Sequence, residues 1–195
     1  MTQTAARAAL NDALVSRFRD RAESEALLDV AFTTMDSPVG VLLLAATRKG
    51  LVEIAYTHEH SVEKSLLELA AKLSPRILDA PRRLEPVRSQ LDAYFTGKRD
   101  RFELSLDRSL MNGFGRRVLR RTERIAYGQV STYGDVAMDI GAPRAARAVG
   151  NALGANPIPI VIPCHRVLRA GLLLGGYGGG TDRKEWLLKR EGALA

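Results

Sequence analysis

Between residues 29 and 56 the apolar positions fall into three short runs, Val30-Ala-Phe-Thr-Thr, Val41-Leu-Leu-Leu-Ala-Ala and Leu51-Val-Glu-Ile-Ala-Tyr. Ser37-Pro38 with Gly40 separates the first two, and Lys49-Gly50 separates the second and third. Runs this short, bounded by turn residues, predict strands, and such brief connections predict an antiparallel meander. Helical periodicity follows over about 61–74 and 84–95, then a short strand from Phe102 to Leu106, so the first half reads as a small α+β unit. Ahead of it, Leu10, Leu14 and Phe18 recur every four residues among charges, which predicts an amphipathic helix over 5–27.

The second half is mostly helical in pattern, over about 111–126, 132–140, 143–154 and 181–191. Ile140-Gly141-Ala142-Pro143 places a glycine where one helix stops and a proline where the next starts, the signature of a helix-turn-helix. On the second of these helices Arg144, Arg147 and Asn151 stand at i, i+3 and i+7, opposite Ala145, Val149, Ala152 and Leu153. Ala145, Ala146, Ala148 and Gly150 make that helix very slender. Such a surface suits close helix packing, and it equally suits approach to a DNA minor groove, where larger side chains would hold the helix off. The expected organisation is an N-terminal helical extension (1–28), a small-sheet domain (29–107) and a mostly helical, winged-helix-like domain (108–195).

Composition narrows the class of protein. With 46% hydrophobic and 26% charged residues, the chain has an ordinary soluble globular balance, without an apolar run of membrane-spanning length or a signal-peptide core. A cytoplasmic protein with no membrane association is expected. Residues 1–100 carry 14 basic and 14 acidic side chains, whereas 101–195 carry 15 basic and 8 acidic, so the whole net charge of +7 lies in the second half. That asymmetry fits either a basic half that meets a polyanion such as nucleic acid, or simply a basic, soluble surface. One cysteine and three histidines are too few for a structural zinc site, and His58-x-His60 reads as loop decoration. No metal and no cofactor is expected.

Any thiol chemistry must occur at Cys164, the only cysteine, which lies in Pro163-Cys164-His165-Arg166. A lone cysteine is commonly a small core residue, but beside a base it is also a candidate nucleophile. The segment Asn156-Pro-Ile-Pro-Ile-Val-Ile-Pro-Cys-His-Arg holds three prolines in the eight residues before Cys164, which predicts a rigid, buried, extended track. Burial would raise the thiol pKa, so reactivity demands an activating partner. In extended backbone His165 points away from its neighbour, which favours a bridging water between thiol and imidazole. Lys184, Leu187, Leu188 and Glu191 share one stripe of the last helix. Glu191 is therefore either a carboxylate that orients His165, completing a Cys-water-His-Glu relay, or a residue at a frayed helix end.

These residues resemble the methylated-DNA-protein-cysteine methyltransferase family. The likeness runs from about Phe114 to Gly192 through Val130-Ser-Thr-Tyr-Gly-Asp, Pro143-Arg-Ala-Ala-Arg-Ala-Val-Gly, the proline track with its Cys164, and Gly176-Tyr-Gly-Gly-Gly followed by Lys184-Glu-Trp-Leu-Leu and Glu191-Gly. Ser37-Pro38-Val39-Gly40 with Gly50-Leu-Val is similar to the family's ribonuclease-H-like N-terminal domain with its small antiparallel sheet. The resemblance implies stoichiometric transfer of an alkyl group from O6 of guanine in duplex DNA to Cys164, with His165 and Glu191 as the relay. It implies that Tyr133 hydrogen-bonds the leaving guanine, that Arg147 fills the space of the flipped nucleotide, and that Arg144 and Asn151 face DNA. Asn156 would be the hinge between recognition helix and active-site track, while Lys184, Tyr177 and Gly178 would line the guanine pocket. A chain acting as a monomer on the minor groove is expected, and a non-enzymatic lesion-binding protein is the alternative. Two departures stand out: Tyr177 is followed by Gly178 where some members carry a hydroxyl residue, and the turn Arg169-Ala170-Gly171-Leu-Leu-Leu is unusually apolar.

Overall fold

The structure, a computed structural model, describes residues 27–57 and 61–194 together with Leu14, Val15, Arg17 and Arg21. Most of the helix expected over 5–27, and the His58–His60 pair, lie outside the described residues.

The three predicted strands form as expected. β1 (Val30–Met35) pairs antiparallel with β2 (Leu42–Thr47), and β2 pairs antiparallel with β3 (Gly50–Tyr56). A short fourth strand, β4 (Ile77–Asp79), joins the free edge of β1 in parallel, so the sheet is mixed, in the order β3-β2-β1-β4. A parallel partner needs a crossover. α1 (Val62–Lys72) supplies it, held at its start by the Ser61 hydroxyl, which accepts from the Lys64 amide. α2 (Glu85–Phe95) lies on the other side, where Leu84, Leu91 and Tyr94 join the main core. Because β2 is covered on both faces, Leu42 to Ala45 are completely buried.

The strand expected over 102–106 reduces to one parallel bridge between Leu51 and Leu106. The Leu51 amide donates to the Ser105 carbonyl, and the Asp107 amide donates to the Leu51 carbonyl. The Asp107 carboxylate then accepts from the Ser109 amide, turning the chain away before a ladder can grow. Gly50 is needed for this approach: at φ +130, a Cβ there would lie 2.1 Å from the Ser105 oxygen.

In the second half, α3 (Gly113–Thr122) is capped by Asn112, whose side chain accepts from the Gly115 amide. It ends earlier than its periodicity suggests, because the chain turns through Gly128 at φ +72 toward β5 (Ser131–Thr132). α4 (Tyr133–Asp139) opens with a capping box between Thr132 and Asp135. Gly141, at φ +72, stops it, and α5 (Ala146–Gly154) completes the helix-turn-helix. Pro143 does not open α5 as expected. The Ala145 amide donates to the Ala142 carbonyl, closing a turn over 142–145, so Arg144 lies ahead of the helix and only Arg147 and Asn151 are on it.

The proline track is buried but not uniformly extended. Ile160 adopts φ +73, and the Ile162 amide donates to the Ile158 carbonyl, folding the track back on itself. Buried main-chain polar groups must find partners, and this turn supplies them where prolines have removed donors. Cys164–Arg166 then form a single 3-10 turn leading into β6 (Val167–Leu168), which pairs in parallel with β5. The last helix is α6 (Thr181–Arg190). One apolar cluster unites the halves, joining Leu42, Leu91 and Tyr94 to Val118, Ile162, Cys164 and Leu187. Among the described residues no helix is long and apolar enough to cross a membrane, and no group of three or more His, Cys, Asp or Glu side chains could hold a metal ion.

The capping box fixes the start of α4, whose first residue is Tyr133. Thr132→Ala removes the side chain that accepts from Asp135 N, and it should cost about 1 kcal/mol. Calorimetry should show the midpoint of unfolding lowered by roughly 2–4 °C.

Candidate active site

Cys164 opens the 3-10 turn with only 5% of its surface exposed. Its Sγ accepts a hydrogen bond from Asn156 Nδ2 at 3.1 Å. The same nitrogen donates to the Ile162 carbonyl at 2.9 Å, while Asn156 Oδ1 accepts from the Ile158 amide. Asn156 thus ties the end of α5 to the track and to the sulfur. Burial pushes the thiol up to about 11, against the opposing pull of the Asn156 hydrogen bond, the Lys184 charge and neighbouring main-chain amides. A thiol so placed is un-ionised at neutral pH and depends on a base to take its proton.

His165 is completely buried. Its Nε2 lies 2.9 Å from Glu191 Oε1. The carboxylate can only accept, so Nε2 carries the proton and Nδ1 carries the free lone pair. Nδ1 is buried without any hydrogen-bond partner. Burial lowers the imidazole pKa more than the Glu191 hydrogen bond raises it, which keeps the ring neutral and the Nδ1 lone pair free. Successive residues of a 3-10 turn diverge by about 120°, so Sγ and the imidazole are not aimed at one another. The geometric reason differs from the extended backbone expected, but a water between the two groups still fits the unsatisfied Nδ1.

Glu191 is not frayed. It sits one residue beyond α6 with 5% exposure and accepts from four donor atoms: Tyr94 Oη at 2.6 Å, His165 Nε2, and Arg166 Nε and Nη2 at 2.7 and 2.8 Å. Burial alone would raise this carboxyl, but the hydrogen bonds from His165 and Arg166 outweigh it and hold the pKa at about 2. Arg166 and Tyr94 escaped the sequence reading. Arg166 had a signal, a charge within a track that buries its neighbours. Tyr94 had none, because nothing in α2 announces a partner 97 positions away.

Two cavities share Gly154, Tyr177 and Gly178 in their walls. The outer one, about 840 Å³, is lined by Tyr133, Arg147, Gly150, Asn151, Arg169 and Gly176, among others. The smaller one, about 350 Å³, extends from Glu68 and Lys72 on α1 to Cys164, between Tyr56, Leu153, Asn156 and Pro159. Arg147 and Asn151 are exposed at the outer mouth, and Arg144 is exposed but outside its lining. The Tyr133 hydroxyl donates to the Gly176 carbonyl at 3.3 Å, and Gly175 admits it: a Cβ there would fall 2.6 Å from that oxygen. Lys184 lies behind this loop and is not part of either cavity wall. Fully buried, it donates to the Val167 carbonyl at 2.6 Å and more weakly to that of Gly176, 5.8 Å from the Tyr133 ring centre, and burial lowers its pKa to about 8.

Residues 30–108 match the ribonuclease-like domain of 6-O-methylguanine DNA methyltransferases, and residues 113–193 match the DNA binding domain of the same proteins. A methylated-DNA–protein-cysteine methyltransferase of Mycolicibacterium paratuberculosis is 42% identical over 164 residues, 83% of this chain and 92% of that protein. The human protein of that name is 36% identical over 166 residues, 82% of this chain and 79% of its own. The solved structure of Mycobacterium tuberculosis O6-methylguanine methyltransferase is 40% identical, covers 85% of this chain and 94% of that one, and gives a TM-score of 0.72. Mycobacterium tuberculosis OGT in complex with DNA is 38% identical, covers 84% of this chain and 93% of that one, and gives 0.71. On both its sequence and its fold, this chain belongs to the 6-O-methylguanine DNA methyltransferase family.

Proposed function

We propose that this protein repairs DNA by moving a methyl or other alkyl group from O6 of guanine to Cys164, once per molecule. The observation that carries this reading is that Tyr177 and Gly178 wall both the cavity lined by the basic, small-residue helix and the cavity lined by the sole cysteine. O6 of a stacked guanine is out of reach of a buried thiol, so the nucleotide must rotate out of the duplex, at a cost of a few kcal/mol. Arg147 is exposed at the mouth, where its side chain can fill the gap left in the stack, while Asn151 and Arg144 meet the backbone nearby. Tyr177 and Gly178 then flank the guanine.

The thiol proton passes through a water to His165 Nδ1 as sulfur attacks the alkyl carbon. The new C–S bond forms as the C–O6 bond breaks, and the electron pair stays on the guanine, which Tyr133 helps leave by hydrogen bonding. Glu191 keeps the proton-accepting tautomer in place and stabilises the imidazolium that forms. The thioether cannot be cleaved by any group present, so the chain is spent. We assign the sheet-containing part, 29–107, to support and the part from 108 onward to DNA binding and chemistry. A reducing compartment such as the cytoplasm suits a protein that must hold its thiol free.

Four outcomes test the reading. Incubation with duplex DNA carrying O6-methylguanine should add one methyl to the intact mass, located on Cys164 and absent from Cys164→Ala; unchanged mass with lesion-specific binding would mark a damage-flagging protein instead. Single-turnover rates should hold as pH falls to 6.5 and decline only below it, because His165 must be neutral and burial lowers its pKa; a decline beginning above pH 6.5 would contradict the base assignment. Glu191→Gln should slow transfer and destabilise the fold by about 3 kcal/mol or more, since it leaves the Arg166 charge buried without its carboxylate. A depressed folded pKa contributes stability that is present above the unfolded value and lost as pH falls toward the folded one. Denaturant unfolding of the wild type should therefore weaken between pH 5 and pH 2 more steeply than that of Glu191→Gln.

A further inference from the structure

Tyr56 is the last residue of β3, in the half of the molecule that carries none of the groups assigned to the chemistry. It is 6% exposed, and its hydroxyl lies 2.8 Å from the hydroxyl of Tyr177. The two rings meet edge to face, centroids 6.1 Å apart at 65°. Tyr177 in turn stands edge-on to His165, at 6.5 Å and 89°. The loop that follows is moulded to the Tyr56 ring: a Cβ on Gly179 would sit 2.4 Å from Tyr56 Cε2. The Arg183 guanidinium covers the ring at 5.1 Å, while its Nη1 donates to the Gly179 carbonyl at 2.8 Å and its Nε donates to the Val39 carbonyl. Tyr56 also forms part of the wall of the cavity that reaches Cys164.

We infer that Tyr56 is a positioning residue for alkyl transfer, fixing the Tyr177 ring and the Gly178–Gly179 segment in the wall of the cavity that reaches Cys164. The inference rests on the transfer reading above. The physical argument is one of orientation. Tyr177 is the shared wall of both cavities, and a phenol ring on a glycine-rich loop has no rigid backbone of its own to hold it. A buried hydroxyl needs a partner, and the hydroxyl at the end of β3 provides one anchored in a sheet. In-line displacement depends on the guanine and the sulfur sharing one axis, so a slack wall costs rate even where binding survives. Through Tyr56 the N-terminal half thus acts on the reaction without touching the alkyl group.

Tyr56→Phe tests this, because it keeps the ring against Gly179 and Arg183 and removes only the oxygen. In single-turnover assays on duplex DNA carrying O6-methylguanine, the limiting rate should fall about tenfold, the effect of one lost orienting hydrogen bond, while the half-saturating duplex concentration stays unchanged. The same fold-loss should appear with O6-methylguanine as the free base, which needs no DNA contact. Gly179→Ala, which presses on the ring from the loop side, should give the same split. A wild-type limiting rate in Tyr56→Phe would overturn the inference, and so would a loss confined to duplex affinity or absent with the free base. Absence of transfer by the wild-type protein would overturn the transfer reading and this inference with it, whereas wild-type rates in the variant overturn only the role of Tyr56.

Discussion

The buried carboxylate of Glu191 is the interaction on which the rest of the structure depends. Placed just beyond the end of α6, it collects donors from two other parts of the chain, Tyr94 on α2 and His165 and Arg166 on the 3-10 turn. A lone buried carboxylate would be driven to protonate. Surrounded by four donor atoms, two of them on the Arg166 guanidinium, it stays ionised, and its charge in turn keeps those groups in place. Arg166 extends the network by donating to the Ile125 carbonyl beyond α3, so one charge pair links the N-terminal layer, the segment that follows α3 and the C-terminal helix. Burial of such a pair is close to neutral for stability, but losing either member is costly, which makes the arrangement a strong constraint on geometry.

That constraint accounts for how an un-ionised thiol can be the proposed acceptor. Desolvation opposes the thiolate, and Asn156 and Lys184 recover only part of the loss. The resting state is a protected thiol, and in the proposed mechanism its activation falls to the imidazole whose tautomer Glu191 dictates. His165 Nδ1, buried and unsatisfied, is the one ring atom left to receive a proton. Lys184 acts from behind: by holding the Val167 and Gly176 carbonyls it fixes β6 and the pocket loop together, while its charge faces the sulfur electrostatically.

Much of this was legible in the residues. The meander followed from turn residues between apolar runs, and the helix-turn-helix followed from Gly141 and Pro143, although a turn at Ala145 left Arg144 off the helix. Local patterns of this kind depend on neighbours a few positions away, which is why they can be read. The fourth strand, the single bridge at Leu106 and the left-handed turn at Ile160 were not legible. Each is decided by a main-chain partner distant in sequence or by the need to satisfy buried polar groups where prolines remove donors.

The site divides in the same way. By itself the sequence determined which atoms could do chemistry: one thiol, an adjacent imidazole, a carboxylate on the apolar stripe of the last helix, and a slender basic helix. Only the tertiary structure decided that Glu191 is held by Tyr94 and Arg166, that Lys184 lies behind the pocket, and that Tyr56 meets Tyr177 across 121 positions. A motif records side chains whose neighbours are set by local backbone. Contacts between the sheet and the C-terminal loops arise from packing two layers on one apolar core, and the pattern of either layer alone carries no trace of the other.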